Sequence, residues 1–222
     1  MSSPGIDTLF TELRWDRAIK NVFEGLLLGQ GLGSYFPLTT GGYLRSRPDL
    51  DEPDLQSHFL PGLSTGRIRF PWTKPNKLDQ SGFFANVYQL RPESRGRVTL
   101  KSNHVSDAPR IEANYLSSEL DRQCLRDGVR VLRNIFAQPA LARFCGAELE
   151  PGDKVKSNED LDAWICEQAD TVFHPIGTCK MGASHDTMAV VDAQLCVRGL
   201  EGLRVADASV IPLMPGGNTN AI

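Results

Sequence analysis

The sequence predicts an α+β fold in which helices flank an antiparallel sheet. Three stretches typical of strands follow one another between residues 83 and 113, and polar turn residues separate them. Apolar residues at helical spacing occur both before and after this region. Because the strands cluster between helices instead of alternating with them, we expect an antiparallel sheet with helices on one face.

The amino-terminal part predicts one helix, one loop and one strand. Apolar residues recur near helical spacing over residues 7–28, and a run of glycines from residue 29 ends this helix. Residues 34–53 are rich in Gly, Pro, Thr and Arg, and this composition predicts a loop. Residues 55–60 alternate loosely between apolar and polar side chains, with a proline close by on each side, which is typical of a strand.

The central part predicts three strands and two helices. The three strands are predicted at residues 83–90, 97–101 and 110–113. Ser117 and Ser118 are candidates to cap a helix that continues to Pro139. A second helix is capped by one residue of the Ser-Asn pair at 157–158 and ends near Asp170. Beyond residue 171 the composition shifts to Gly, Pro, Asp and short apolar pairs.

The composition is that of an ordinary globular protein without a strong charge. Of the 222 residues, 41% are hydrophobic and 23% are charged, and 24 basic against 27 acidic side chains give a net charge of −3. This balance gives no reason to expect binding to nucleic acid or to an anionic membrane. No apolar run approaches the roughly 18–20 residues of a membrane span, and no secretory signal is visible. We therefore expect a cytoplasmic protein without an integral membrane segment.

The cysteines predict reduced thiols. There are five of them, an odd number, and they form no C-x-x-C pair. The four histidines do not group with them at the spacing of metal ligands, so that no metal site is predicted.

Two polar segments near the carboxyl end carry the residues best suited to chemistry. His174-Pro-Ile-Gly-Thr-Cys-Lys-Met-Gly182 offers one imidazole among small residues, and Gly216-Gly-Asn-Thr-Asn220 offers amides. His174 and Asn218 are 218 − 174 = 44 residues apart, which leaves room for short strands and turns. Histidine exchanges a proton near neutral pH, whereas asparagine orients and hydrogen-bonds, so that the pair can share one substrate oxygen.

These segments resemble the carboxy-terminal signature of the glucose-methanol-choline (GMC) oxidoreductases. The resemblance extends from residue 174 to residue 221 and includes Val190-Val-Asp192 and residues 197–212. It is nearest to the choline dehydrogenase and alcohol dehydrogenase branch. It implies an FAD-dependent enzyme that oxidises a primary alcohol, such as choline, to an aldehyde. It also implies a substrate-binding domain at residues 1–170 and an active-site tail at 171–222 that would complete an FAD-binding Rossmann-like domain.

The resemblance further implies roles for individual residues. His174 would accept the hydroxyl proton or stabilise the alkoxide, and Asn218 would donate a hydrogen bond to the substrate oxygen. FAD would take the hydride, which no side chain accepts readily. Side chains or amides that approach the flavin ribityl chain and pyrophosphate are expected at Asp207, Ala208, Thr219 and Asn220. The alternatives are a core histidine bonded to backbone at His174, a turn residue at Asn218 and a turn cap at Asp207.

The glycine-rich unit that holds FAD in this family is not recognised in the sequence. Gly29-Gln-Gly-Leu-Gly33 follows a helical pattern instead of a strand, so that a helix stop and turn is expected there. We therefore expect the carboxy-terminal portion of a longer enzyme. The alternative functions are an inactive structural or partner-binding module and a flavin-bearing enzyme similar to hydroxynitrile lyases. Oxygen or a quinone is expected to accept the electrons, and a quinone would imply peripheral membrane contact.

Overall fold

A computed structural model describes residues 1–6, 8–31, 40–63, 70–74 and 79–221. The helices and strands in chain order are α1 (Leu9–Glu12), α2 (Trp15–Leu28), β1 (Thr40–Leu44), β2 (Leu55–Leu60), β3 (Phe84–Gln89), β4 (Arg97–Thr99), β5 (Arg110–Glu112), α3 (Glu119–Phe136), α4 (Pro139–Ala142) and α5 (Asn158–Gln168). Two 3₁₀ helices follow, at Ala208–Val210 and Thr219–Ala221. The α+β class predicted from the sequence is confirmed.

The chain divides into two compact units and passes from one unit to the other three times. The first unit comprises Met1–Tyr88 and Leu125–Glu167. The second unit comprises Gln89–Cys124 and Gln168–Ile222. One of the crossings falls within α3, so that this helix contributes residues to both units.

The helix predicted over residues 7–28 is two helices in the structure. Residue 7, where the prediction began, lies outside the described residues. Arg14 has an extended backbone with a ψ of 138° and forms the N-cap of α2, so the helical conformation is interrupted between α1 and α2. Gly29 ends α2 in the left-handed conformation with a φ of 63°, as expected of a glycine that follows a helix.

The first unit contains a three-stranded sheet in the order β1-β2-β3. β1 pairs antiparallel with β2, with Tyr43 opposite Gln56. The prediction of a loop over residues 34–53 is wrong for this strand. A Cβ atom at Gly41 would lie 2.7 Å from the carbonyl oxygen of Ser57, so the close approach of the two strands requires glycine. Glycine has a low strand propensity, which is why the sequence did not indicate β1.

Helix α3 packs closely on this sheet. A Cβ atom at Gly128 would lie 2.8 Å from Cγ2 of Val87 and 3.2 Å from Cδ1 of Leu55, which is fully buried. The buried Arg126 of α3 also donates through Nη1 to both carboxylate oxygens of Asp162 in α5, each at 2.7 Å. The core of the first unit therefore lies between the sheet and α3, and an ion pair joins α3 to α5.

Serine side chains cap the two longer central helices, as predicted. The Oγ of Ser118 accepts the Leu120 amide at 3.2 Å at the start of α3. The Oγ of Ser157 accepts the Asp160 amide at 3.0 Å at the start of α5. Within the ranges that the structure describes, no helix is long and apolar enough to cross a membrane.

The strands predicted at 97–101 and 110–113 form a separate sheet in the second unit. β4 pairs antiparallel with β5, with Val98 opposite Ile111. The expected single sheet is therefore two sheets, one of three strands and one of two. A Cβ atom at Gly96 would collide with the backbone oxygen of Glu112, so glycine permits the close entry of the chain into β4.

A buried carboxylate fixes the segment that leads into β4. Asp121 of α3 is 1% exposed. Its Oδ1 accepts the Gln89 side-chain amide at 2.9 Å and the Glu93 backbone amide at 2.8 Å. Its Oδ2 accepts the Ser94 backbone amide at 2.8 Å. Residues 89–94 are thereby tied to the start of α3 within the second unit.

Candidate active site

The histidine motif, residues 174–182, runs beside the first 3₁₀ helix. The Cys179 amide donates to the Ser209 carbonyl at 3.0 Å, and the Met181 amide donates to the Val210 carbonyl at 2.8 Å. Backbone hydrogen bonds therefore hold the motif next to the segment that contains Asp207 and Ala208.

The imidazole of His174 contacts two consecutive side chains. Nδ2 of Asn218 lies 2.8 Å from Nε2, and Oγ1 of Thr219 lies 3.0 Å from Nδ1. All three residues are half-buried. The structure thus brings together His174 and Asn218, and the partners of the ring are side chains instead of the backbone considered in the alternative interpretation. The catalytic roles of the two residues stay a prediction.

The orientation of the Asn218 amide determines the roles of the ring nitrogens. The amide NH₂ group donates and cannot accept, so Nε2 of His174 is the accepting nitrogen. In a neutral imidazole the other nitrogen then carries the proton, and Nδ1–H donates to the Thr219 hydroxyl. The nitrogen that bears the lone pair is therefore the one beside Asn218, where a substrate hydroxyl could deliver its proton.

Asp207 caps the first 3₁₀ helix. Its carboxylate accepts the Ser209 amide at 2.8 Å. Hydrogen bonds from the side chain and then the amide of Ser209 hold the pKa of Asp207 below its ordinary value of 3.8. The turn cap proposed as the alternative is thus present, and the exposed carboxylate could still accept a ligand hydroxyl. Ala208 is half-buried and Asn220 is exposed, and the cofactor roles of these residues stay predictions.

The turn before Asn218 packs against a guanidinium group that the sequence did not single out. Gly216 has a φ of 69°, and a Cβ atom there would lie 3.0 Å from Nη2 of Arg91. Arg91 belongs to the segment that Asp121 fixes. No sequence signal links Arg91 to Gly216, because the two residues are far apart in the chain and the contact uses backbone on one side.

Strained backbone immediately precedes the histidine. Phe173 has a φ of 60° and is 79% exposed, and its amide donates to Oγ1 of Thr171 at 3.0 Å. A bulky residue in the left-handed region costs about 1–3 kcal/mol and is uncommon outside turns and functional sites. This strain is a feature of the site that residue types alone do not reveal.

Two basic side chains fix the loop that follows the motif. Nζ of Lys180 lies 2.7 Å from Oδ2 of Asp186, and this contact above all lowers the pKa of that carboxyl group. Arg198 donates to the carbonyl oxygens of Gly182 and Ala183 at 2.6 and 2.7 Å. These contacts hold the carboxyl end of the motif in place.

The residues of the second unit fit a flavin. The exposed Asp207 carboxylate supplies an acceptor that suits a ribityl hydroxyl, and the exposed Asn220 amide supplies both a donor and an acceptor. A Cβ atom at Gly217 would meet no atom within 4 Å, so there is open space beside the Asn218 turn. In the described part of the chain, no group of three His, Cys, Asp or Glu side chains could hold a metal ion.

Comparison with models of protein families shows which family the chain belongs to. Residues 92–222, more than half of its length, match the family model described as GMC oxidoreductase. The chain belongs to the GMC oxidoreductase family. The resemblance inferred from the motifs is thereby confirmed.

The GMC relatives with curated descriptions include choline dehydrogenases. The chain is 44% identical over 214 residues to an oxygen-dependent choline dehydrogenase of Serratia proteamaculans (strain 568). The match covers 96% of this chain and 37% of the relative. It is 42% identical over 214 residues to the protein of the same name from Pseudomonas fluorescens (strain SBW25), with 96% and 36% covered. The chain therefore spans little more than a third of the length of these relatives.

Solved structures of oxidases have similar folds. Pyridoxine 4-oxidase from Mesorbium loti is 29% identical with a TM-score of 0.69, and the match covers 82% of this chain and 34% of that one. Formate oxidase is 25% identical with a TM-score of 0.78, covering 92% and 39%. An FAD-dependent oxidoreductase from Chaetomium thermophilum is 26% identical with a TM-score of 0.61, covering 77% and 26%. This GMC chain thus has FAD-dependent structural neighbours.

Proposed function

We propose that this chain supplies the substrate-oxygen side of the active site of an FAD-dependent oxidoreductase that oxidises a primary alcohol, such as choline, to an aldehyde. The observation that carries the proposal is the pair formed by His174 Nε2 and Asn218 Nδ2, 2.8 Å apart. The choline dehydrogenase relatives support choline as the alcohol. Oxygen, named in the description of these relatives, is the electron acceptor that we favour over a quinone.

His174 and Asn218 act together on the substrate oxygen. The lone pair of Nε2 accepts the hydroxyl proton, since a neutral imidazole is a base of suitable strength near neutral pH. The Asn218 amide, which donates to Nε2 in the absence of substrate, then donates to the substrate oxygen and stabilises its developing negative charge. Asparagine carries no exchangeable charge, so that His174 is the proton acceptor of the pair.

FAD, when bound, supplies the acceptor for the hydride. Asp207 would hold it by accepting a ribityl hydroxyl. Ala208, Thr219 and Asn220 would approach it through backbone amides or exposed side chains, since the Thr219 hydroxyl is engaged with His174. In this proposal residues 1–170 bind the substrate and residues 171–222 line the cofactor.

The substitution His174→Ala tests the proposal. In the FAD-containing protein we expect kcat/KM for the alcohol to fall by roughly 10²–10⁴-fold, the usual contribution of a general base. His185→Ala is the matched control, because His185 lies in an exposed loop of the same unit. If His174→Ala retains the kcat/KM of the unsubstituted protein, the proton-acceptor role is refuted. Cleavage of a cyanohydrin without alcohol oxidation would instead favour a lyase.

A further inference from the structure

Helix α2 turns its apolar face away from its own unit. Its exposed apolar side chains, here called the α2 stripe, are between 41% and 80% exposed: Trp15, Ile19, Val22, Phe23 and Leu26. They lie at positions i, i+4, i+7, i+8 and i+11, which places them on one side of a helix. A surface helix of a globular protein normally turns such a side toward the core. The α2 stripe is therefore an apolar surface that the described part of the chain leaves open.

Polar and small residues hold α2 against its own unit. Ala18 is the buried residue of this helix. Nδ2 of Asn21 donates to Oε2 of Glu12 in α1 at 3.1 Å, and Nη1 of Arg17 donates to Oε1 of the same carboxylate at 2.9 Å. A rotation of α2 that buried the stripe would break these contacts, so the stripe stays exposed in a single chain.

The spacing of the stripe indicates that its partner is another helix. Trp15, Ile19, Val22 and Leu26 are separated by four, three and four residues. This is the spacing of the a and d positions of a coiled coil, whose side chains insert between those of a facing helix.

The polar side of α2 does not favour a lipid surface as the partner. Helices that lie in a membrane interface are rich in Lys and Arg on their polar side. The helix α2 carries two basic and two acidic side chains, and Nζ of Lys20 lies 3.6 Å from Oε1 of Glu24. This balance of charge gives no attraction to anionic lipid.

The seam that matches the α2 stripe is the stripe itself. In α3 and α5, whose residues are all described, Leu120 alone is an exposed large apolar side chain. A second copy of the chain supplies the same four-three-four spacing, and a surface that packs against itself closes as a dimer with two-fold symmetry.

We infer that α2 packs in the opposite direction against α2 of a second copy of this chain. Trp15 of one copy then lies beside Leu26 of the other, and Ile19 lies beside Val22. The positive amino-terminal end of each helix lies beside the negative carboxy-terminal end of its partner. A single pair of helices covers less than the roughly 800 Å² per partner of a standard interface, so we expect a dissociation constant of about 10–100 μM. This inference does not depend on the proposed function.

Sedimentation velocity of the 222-residue chain tests the inference. Between about 1 and 200 μM we expect a shift from monomer to dimer. Leu26→Glu places a charge in the seam of both copies and should raise the dissociation constant at least about 100-fold, since each copy loses one buried leucine.

Leu28→Glu is the matched control on the same helix. Leu28 is 62% exposed, but it lies about 200° around the helix axis from Leu26 and thus outside the stripe. This variant should dimerise like the unsubstituted chain. Because both leucines are exposed, we expect both variants to fold, and circular dichroism checks this. A chain that stays monomeric at about 200 μM overturns the inference. So does a dimer that persists in Leu26→Glu. Cosedimentation of a monomeric chain with phosphatidylcholine vesicles would assign the stripe to a lipid surface instead.

Cysteine pairs report the direction of the two helices. Trp15→Cys and Leu26→Cys are made separately together with Cys166→Ser, which removes an exposed thiol. Mild oxidation of an equimolar mixture should join residue 15 of one copy to residue 26 of the other, and mass spectrometry of the peptides identifies this disulfide. Neither variant alone should form a bridge at its new cysteine, because opposed helices hold the two equivalent positions about 16 Å apart along the axis. A 15–15 or 26–26 bridge would overturn the opposed arrangement.

Discussion

The substitution Asp121→Asn tests how the second unit is held together. The carboxylate of Asp121 is 1% exposed and accepts three hydrogen bonds, from Gln89, Glu93 and Ser94. Asparagine has nearly the same shape but offers only one oxygen. If that oxygen replaces Oδ1, its NH₂ group faces the Ser94 amide, and two donors oppose each other.

The magnitude follows from these three bonds. A buried amide left without an acceptor costs about 1–3 kcal/mol. The two remaining hydrogen bonds then have a neutral acceptor instead of a charged one, which weakens each by about 1 kcal/mol. The neutral side chain requires less dehydration, and this offsets part of the loss. We therefore expect Asp121→Asn to lower the free energy of unfolding by about 3 kcal/mol.

Urea unfolding followed by circular dichroism measures this change. With a slope of about 3 kcal/mol per molar, the midpoint should fall by about 1 M. Hydrogen exchange at the Glu93 and Ser94 amides should become faster, and the free energy of opening at these amides should fall by a comparable amount. Asp127→Asn is the control, because the half-buried carboxylate of Asp127 in the same helix pairs with the exposed Arg130, and it should change stability by at most about 1 kcal/mol. A loss below about 0.5 kcal/mol in Asp121→Asn would refute the reasoning.

The pH dependence supplies a further check on Asp121. Burial opposes ionisation of this carboxyl group, but the hydrogen bonds from Glu93 and Ser94 outweigh it and hold its pKa below the ordinary value of 3.8. A carboxylate with a depressed pKa stabilises the fold above its unfolded pKa of about 3.9, and this contribution is lost as the pH falls through the folded value. The difference in the free energy of unfolding between the native chain and Asp121→Asn should thus be constant above about pH 5 and become smaller below about pH 4.

Two other predictions concern the cofactor and the Asn218 turn. The purified 222-residue chain should retain no flavin absorbance after incubation with FAD and gel filtration, because Gly29 and Gly31 follow a helix instead of a phosphate-binding strand; a stoichiometric spectrum that bleaches with an alcohol would contradict this. Gly216→Ala should lower the free energy of unfolding by about 1–2 kcal/mol, since Gly216 has a positive φ and faces Arg91. Gly217→Ala, where a Cβ would meet no atom within 4 Å, is its control, and equal melting temperatures would refute the argument.

Sequence patterns predicted those elements of the fold whose signals are local. The sequence indicates the helices capped by Ser118 and Ser157, because a capping hydroxyl and an apolar stripe lie within a few residues of each other. The sequence does not indicate β1, because Gly41 serves a close approach to Ser57 of β2, a contact that the local residue pattern does not reveal. The sequence does not indicate the break between α1 and α2, because Arg14 has an ordinary helix propensity yet an extended backbone.

The sequence likewise indicates some features of the candidate site and not others. The resemblance named His174 and Asn218, and the structure brings their side chains together. It assigned Thr219 to the cofactor, whereas the hydroxyl contacts Nδ1 of His174. Neither residue type nor spacing indicates which nitrogen a hydroxyl will meet, because that depends on the turn geometry at Gly216. Arg91 was missed for the same reason.

The second unit contains a continuous series of contacts from its buried carboxylate to the histidine. Asp121 fixes the backbone of Glu93 and Ser94, and this segment carries Arg91. The guanidinium group of Arg91 lies against Gly216, whose positive φ sets the turn into Asn218. Interiors are closely packed, so a small displacement at one end of such a series displaces its neighbours. Productive geometry at a base requires placement within about half an ångström. The carboxylate of Asp121 is thus connected to the Asn218 turn through the segment that carries Arg91, and we expect its loss to displace that turn.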